Sequence, residues 1–406
     1  PKTPVSALDS EMPATHRDST RSVVSKASPT TRIAWSVSAI VVVLSIVVVL
    51  RPSDSNSVPN CKIVERTFSS VLESVSTVEA VPFLNALPKD QPAVPALWMR
   101  SSRTLLGGMW IFPSSDHTPN SVYSFDGSVF MAHSLLAELI AAYLPAVGEA
   151  SGRTEFHVLM IGLGPGMVSV EAQQMFNAQW ELANGNNAVP PRLVFDAIEL
   201  DPNVVGQARR HFGTQMDRVW IGDALSQLSD VIESARTYDL ILHDVFAAEV
   251  LPGSKGSAKG LDRLYTRQTL EQVSRVLQPT TGVLIVNVVT VQRSGPMVTA
   301  LAATLSSLFP ALTVVTDGGS RHVPDGNHVL NVAAIASAGS SSPWFVPHGP
   351  DDANGGPDVI AASSLLGGSI LDDQGPVWFS ELAALEGVHS AHQRVMAEFF
   401  PDEWWK

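Results

Sequence analysis

The sequence predicts an α/β protein built around a parallel sheet, and three observations carry that expectation. Four short apolar runs, each ending at a glycine or an acid, follow one another between Phe156 and Asp244. Such runs are what strands buried on both faces look like. Each is followed by a segment with helical spacing, so that strand and helix alternate. The first run, His157 to Ile161, passes directly into Gly162-Leu-Gly164-Pro-Gly166. In open sheets of this kind, ligands bind beyond the carboxyl ends of the strands, where the strand order reverses.

The chain has 406 residues, 45% of them hydrophobic and 16% charged, enough for one large domain or two smaller ones with tails. Residues 1–32 are rich in Ser, Thr and Pro and read as a disordered tail. Ile33 to Leu50 is an uncharged run between Arg32 and Arg51, of a length that crosses a hydrocarbon core. About thirty residues precede it and no small-residue cleavage site follows, against a signal peptide. Its β-branched, all-round apolar surface argues against a core helix. It is therefore expected to be a single membrane span, followed by a polar linker at 51–60. Arg21, Lys26 and Arg32 before the span lean weakly towards a cytosolic amino terminus. The absence of Asn-x-Ser/Thr sequons and the presence of one cysteine, Cys61, pull the other way, leaving the side open. The net charge of −13 shows no basic patch for a nucleic-acid backbone, so no nucleic-acid partner is expected.

Residues 61–127 contain short alternating runs at 62–65, 103–106, 109–112 and 121–125, and predict a small antiparallel β-subdomain with Gly107-Gly108 as a separator. Val129 to Leu144 has helical periodicity. The main domain is expected over 128–340, with helices near 167–180, 202–212, 224–235 and 265–277. Its later strands are expected at Val283–Val289, Leu312–Thr316 and Val329–Ile335, with a helix over Pro296–Leu308. Asn184 to Pro191 reads as a surface insertion. Gly253 to Gly260 (GSKGSAKG) reads as a mobile loop in the position of a lid. Residues 341–406 form a Gly/Pro-rich extension that turns helical from about Val377.

The residues that carry chemistry lie at the strand ends. Gly162, Gly164 and Gly166 occupy a strand-to-helix turn that needs positive φ and close backbone approach. Glu199, ending the second strand, suits the two hydroxyls of a ribose. Asp201, with Pro202 after it, reads as a helix N-cap. Asp223, between Gly222 and Ala224 at the third strand end, suits the exocyclic amine of an adenine and also caps the next helix. Asp244 ends the fourth strand and can orient or deprotonate an amine; His243 alternates to the opposite face. His389 and His392 stand three apart on a helical stretch without further ligands, so no metal is expected.

These stretches resemble the spermidine synthase-like branch of the class I S-adenosylmethionine-dependent methyltransferase family. The matching segments are VLMIGLGPG, AIELDP with a later HFG, RVWIGDA, YDLILHDVF and LY. LGGMW and SVYS in the small subdomain match as well, as does the late LDDQGPV; together they cover roughly residues 100–380. The resemblance implies a Rossmann-like seven-stranded fold behind a small N-terminal β-subdomain. It implies that Gly162, Gly164, Gly166, Glu199, Asp223 and Ala224 hold S-adenosylmethionine or its decarboxylated form, that Asp244 is catalytic, and that a homodimer is in keeping with its relatives. Two positions depart from the aminopropyltransferase pattern. Pro165 stands where the glycine loop would carry an aspartate, and Ala247 where a second acid would follow Asp244. Each lost acid removes a charge-assisted bond worth about 1.5–3 kcal/mol. Methyl transfer to a small-molecule or protein amine is therefore favoured over polyamine synthesis, with a catalytically silent membrane scaffold as the third reading.

Overall fold

In the computed structural model the described residues are 61–80, 96–101, 104–113, 123–128, 131–184, 189–245, 262–316, 330–339, 358–360 and 362–373, with 382, 386–388, 390, 391 and 394. The expected tail, span 33–50, linker, loop 253–260 and the 389/392 histidine pair lie outside them. Among the described residues, no helix is long and apolar enough to cross a membrane.

Two sheets form. Strands β1 (Cys61–Ser69), β2 (Glu73–Ala80), β3 (Ala96–Ser101), β4 (Leu105–Pro113) and β5 (Tyr123–Ser128) make an antiparallel meander in that order. Gly107-Gly108 does not separate two strands, as expected from the sequence, but lies inside β4. A Cβ built on Gly107 would stand 2.5 Å from Pro165 Cγ and 2.9 Å from His133 Cε1, so the missing side chain is what lets β4 run beside the glycine loop.

The second sheet contains β6 (Glu155–Ile161), β7 (Arg192–Glu199), β8 (Arg218–Ile221), β9 (Leu240–His243), β10 (Val283–Thr290), β11 (Ala311–Thr316), β12 (Leu330–Ser337) and β13 (Asp358–Ile360). Its order is β8-β7-β6-β9-β10-β12-β11-β13. The first five run parallel, β12 lies antiparallel between β10 and β11, and β13 pairs antiparallel with β11. The expected seven-stranded Rossmann-like sheet is therefore present as a mixed sheet, and β13 extends it by an eighth strand from the C-terminal extension.

Helices α1 (Met131–Ser151), α2 (Met167–Asn184), α3 (Pro202–His211), α4 (Ala224–Glu233), α5 (Arg267–Ser274) and α6 (Pro296–Ser306) complete the fold. The fifth is shorter than expected because a separate 3-10 turn, Asp262–Tyr265, takes the residues before Thr266. Side chains alternate across each strand. Phe156, Val158 and Met160 of β6 join one core with α1, α2 and α3, while Leu159 and Ile161 join the other with α4, α5 and α6.

The small sheet shares the first core through Val75, Met99, Met109 and Ile111. Polar contacts to α3 fix it there. Asp201 caps α3 by accepting from Asn203 N–H at 2.8 Å and also accepts from Ser69 Oγ. Gln207 accepts from Thr77 Oγ1 at 2.6 Å and donates to the Val75 carbonyl at 3.0 Å. Glu65 faces Arg210 and His211 in the last turn of α3.

Candidate functional site

Strand order decides where a site can form. After β6 the chain moves outward through β7 and β8, then returns to place β9 and β10 on the other side of β6. The carboxyl ends of β6 and β9 therefore border the switch point. Alternation then selects the face. Leu240 and Leu242 of β9 lie in the α1–α3 core, so Asp244 falls on that side while His243 turns to the α4–α6 side against Tyr265, 4.7 Å between ring centroids. By the same parity, Glu199 on β7 and Asn287 on β10 point to the face that holds Asp244.

The glycine loop sits at this corner with Gly162, Gly164 and Gly166 at φ +87°, +53° and +75°, conformations that disfavour any side chain. The space left by the missing side chains is filled by protein. A Cβ on Gly162 would be 2.3 Å from the Asp244 carbonyl oxygen, on Gly164 2.9 Å from the Leu106 carbonyl, and on Gly166 2.3 Å from Thr214 Cγ2. Thr214 Oγ1 in turn donates to the Pro165 carbonyl at 2.6 Å. The glycines thus let the loop nest between the end of β9, the small sheet and the segment after α3.

Glu199 organises the same loop. Its Oε2 accepts from the N–H groups of Leu163 (3.0 Å) and Gly164 (3.3 Å), and its Oε1 from Asp201 N–H (3.1 Å). Burial nevertheless pushes its pKa above the ordinary carboxylate range, against those backbone donors and that of Leu200. Asp223 is exposed at the outer edge of the site. Its Oδ1 caps α4 through Leu225 N–H (3.0 Å) and Ser226 N–H (3.3 Å), and Ala224 begins that helix. Asp244 is half-buried, and its Oδ1 accepts from Asn287 Nδ2 at 2.8 Å.

Two neighbours of Asp244 were not singled out in the sequence. Asn287 is the polar residue inside the apolar run Val283–Val289, and its Oδ1 is buried without a hydrogen-bond partner. His133 stands on the first turn of α1, where its ring feels the Asp244 charge. Both interrupt strongly apolar stretches, and that interruption was the available signal.

The groups at the corner are acceptors: two carboxylates and an unpartnered amide oxygen. The loop N–H groups that would cradle a phosphate are taken by Glu199, and Pro165 has no N–H to offer. This set fits a cationic nucleoside rich in hydroxyl and amine donors, such as S-adenosylmethionine, better than a dinucleotide.

No protein-family model matches the chain, and no curated protein does. Among solved structures, it is similar to a probable spermidine synthase from Corynebacterium glutamicum, at 14% identity over 79% of this chain and 98% of that one, with a TM-score of 0.46. It is also similar to MNMC2 from Aquifex aeolicus, at 13% identity over 74% and 83% of the two chains (TM-score 0.39). A third is the plantazolicin methyltransferase BpumL in complex with SAH, at 12% identity over 51% and 84% (TM-score 0.29). With identities and scores this low, strand order and loop geometry, not these likenesses, carry the fold assignment.

Proposed function

We propose that the chain is an S-adenosylmethionine-dependent transferase of the spermidine synthase-like kind, methylating an amine acceptor and anchored to a membrane through Ile33–Leu50. The observation that carries the transferase reading is the meeting of the glycine loop, Glu199 and Asp244 at the switch point between β6 and β9. The anchor is supported by the length and lack of charge of residues 33–50.

The chemistry such a cofactor supplies is an electrophilic carbon on a sulfonium. The chain's own part is positioning, which is where most of the rate advantage of a two-substrate displacement comes from. Glu199 would accept from the ribose hydroxyls, and Asp223 and Ala224 would border the adenine. Asp244, fixed from behind by Asn287, would hold the acceptor nitrogen. An acid at position 165 or 247 would have gripped an aminopropyl cation; Pro165 and Ala247 remove both, which weighs against the decarboxylated cofactor.

Calorimetry on the 406-residue chain with S-adenosylmethionine and with its decarboxylated form tests this. Tighter binding of the carboxylated form is expected. Preference for the decarboxylated form would replace methylation by polyamine synthesis, and binding of neither would leave a scaffold. Asp244→Asn is expected to lower turnover about 10²-fold or more while cofactor affinity changes little; unchanged turnover would remove Asp244 from the chemistry.

A further inference from the structure

One edge of the small sheet carries apolar side chains that the protein leaves uncovered. Of the eleven exposed large apolar residues among the described ones, four (Ile63, Val64, Phe68 and Val71) fall within nine residues of β1 and its turn. Scattered exposed apolar residues need no explanation, but a run of them marks a surface that meets something else. β1 is also a free edge of its sheet. Phe68 is 84% exposed, yet it does not stand on a loose tip. Ser69 Oγ accepts from the N–H groups of Val71 (3.0 Å) and Leu72 (2.8 Å) and donates to the buried Asp201. Asn203 Nδ2 donates to the Phe68 carbonyl at 3.2 Å. Leu72 packs onto the first core. The turn is thus tied to the start of α3 while Phe68 and Val71 project from it. The charges at this edge are sorted by exposure. The Lys62 side chain is 74% exposed and that of its partner Glu79 25%; Arg210, in the last turn of α3, is 54% exposed and its partner Glu65 23%. Arg66 is exposed as well, against one exposed acid of the turn, Glu73. In both pairs the cation is the outward member, so an approaching surface meets cations first.

We propose that the β1–β2 hairpin is a docking surface for a lipid bilayer: Phe68 and Val71 enter the headgroup region, with Ile63 and Val64 beside them, and Lys62, Arg66 and Arg210 meet anionic headgroups. This rests on the reading of residues 33–50 as a membrane span. Leu50 and Cys61 are joined by ten residues, 51–60, which reach about 35 Å when fully extended. β1 begins at Cys61, so the tether delivers this edge, before any other described element, to the bilayer. Apolar side chains interleaved with cations are the composition that binds an anionic lipid interface. The unpaired N–H and C=O groups of an edge strand must stay wet, which keeps the contact in the headgroup region and out of the hydrocarbon. A second copy of the chain fits the same edge less well. Two β1 strands paired antiparallel about Val64 would set Lys62 of one against Arg66 of the other, and like charges directly opposite are destabilising. The contact also has a direction. Asp201, which holds the turn, donates its N–H to Glu199 Oε1 at 3.1 Å. Lipid at Phe68 therefore turns the carboxyl edge of the large sheet, where the nucleoside site lies, towards the bilayer.

The test places the 406-residue chain in vesicles of phosphatidylcholine and phosphatidylserine, which are floated and washed with alkaline carbonate to establish anchoring. Cys61→Ser removes the single cysteine, and Phe68→Cys or Leu182→Cys then takes a polarity-sensitive fluorophore. Leu182 is exposed in the last turn of α2, which leads to the amino end of β7, and serves as the control. The expected result is a blue shift at position 68 and loss of its emission when nitroxide-bearing lipids are included, with neither change at position 182. If the vesicles retain the chain but the label at position 68 keeps its aqueous emission, docking is overturned and the anchor stands. A blue shift without nitroxide quenching assigns the edge to a second copy of the chain and overturns the proposal as well. Equal quenching at both positions would mean that the fluorophore, not the edge, seeks the lipid, with the same consequence. A chain that washes off removes the anchor and the docking surface together, and leaves the transferase reading untouched.

Discussion

Glu199 and Asp223 end neighbouring strands, each just before a helix, and the fold uses them oppositely. Glu199, on the inner side, is only 8% exposed and spends its carboxylate on loop amides. Asp223, on the outer side, is exposed and spends its carboxylate on the first turn of α4. The difference follows from the strands. β7 is covered on both faces, while β8 is an edge strand whose four residues are all partly or fully exposed. The acid on the central strand thus holds the glycine loop, and the acid beyond the peripheral strand caps a helix. Because the folded pKa of Glu199 lies above its unfolded value, its contribution is complete at low pH and is lost as pH rises through the folded pKa. A hydroxyl-bearing ligand that donates to the ionised carboxylate would offset that loss.

The largest expected effect comes from breaking the inner corner at Gly162. Gly162→Ala places a Cβ 2.3 Å from the Asp244 carbonyl in a backbone conformation of φ +87°. The strand ends must part, and a destabilisation of roughly 3 kcal/mol or more is expected, together with loss of nucleoside binding. Chemical denaturation would measure it. A loss below about 1 kcal/mol would mean that the loop is loosely held and the corner is not rigid.

A smaller effect separates the two faces of β9. His243 is buried against Tyr265, and burial pushes its pKa down to about 4 from the ordinary 6.5. The unfolded chain therefore takes up a proton there between pH 6.5 and about 4 that the folded chain refuses. The stability this neutral ring contributes is complete above 6.5 and is lost as pH falls towards 4, on the order of 3 kcal/mol over the whole window. His243→Phe should flatten the pH dependence of stability in that window without touching the Asp244 side. An unchanged slope would place the acid sensitivity elsewhere.

The inner half of the molecule was the legible half. Central strands are apolar end to end, so the acids that stop them stand out, and Gly162, Glu199 and Asp244 could be picked from the sequence because burial makes the pattern clean. The small sheet was legible only in part. β2 reads Glu-Ser-Val-Ser-Thr-Val-Glu-Ala and looks like a polar loop, yet its Ser76 and Thr77 are buried because Gln207 of α3 and the neighbouring strands receive them. Gly107-Gly108 looks like a turn until Pro165 and His133 are seen pressing on it. β13 has three residues and exists because β11 offers an edge. In each case the deciding partner lies far away in sequence. Asn287 differs in kind: it was visible as a polar residue in an apolar run, and only strand parity with Asp244 turns that oddity into a position.

The outer side gives the smallest effect and the finest discrimination. Asp223→Ala removes the acceptor for Leu225 and Ser226 N–H at the start of α4, an exposed cap worth about 1 kcal/mol. If Asp223 serves only as a cap, stability falls by that amount and S-adenosylmethionine affinity is unchanged. If it also meets the adenine amine, affinity falls by roughly tenfold in addition, the worth of one hydrogen bond to a charged group. Asp223→Asn separates the two, because asparagine caps a helix nearly as well as aspartate but offers no charge. The expected result is full stability with weakened binding. An Asn variant that binds as tightly as the wild type would assign the residue to the helix alone and confine the acids of the nucleoside site to the central strands.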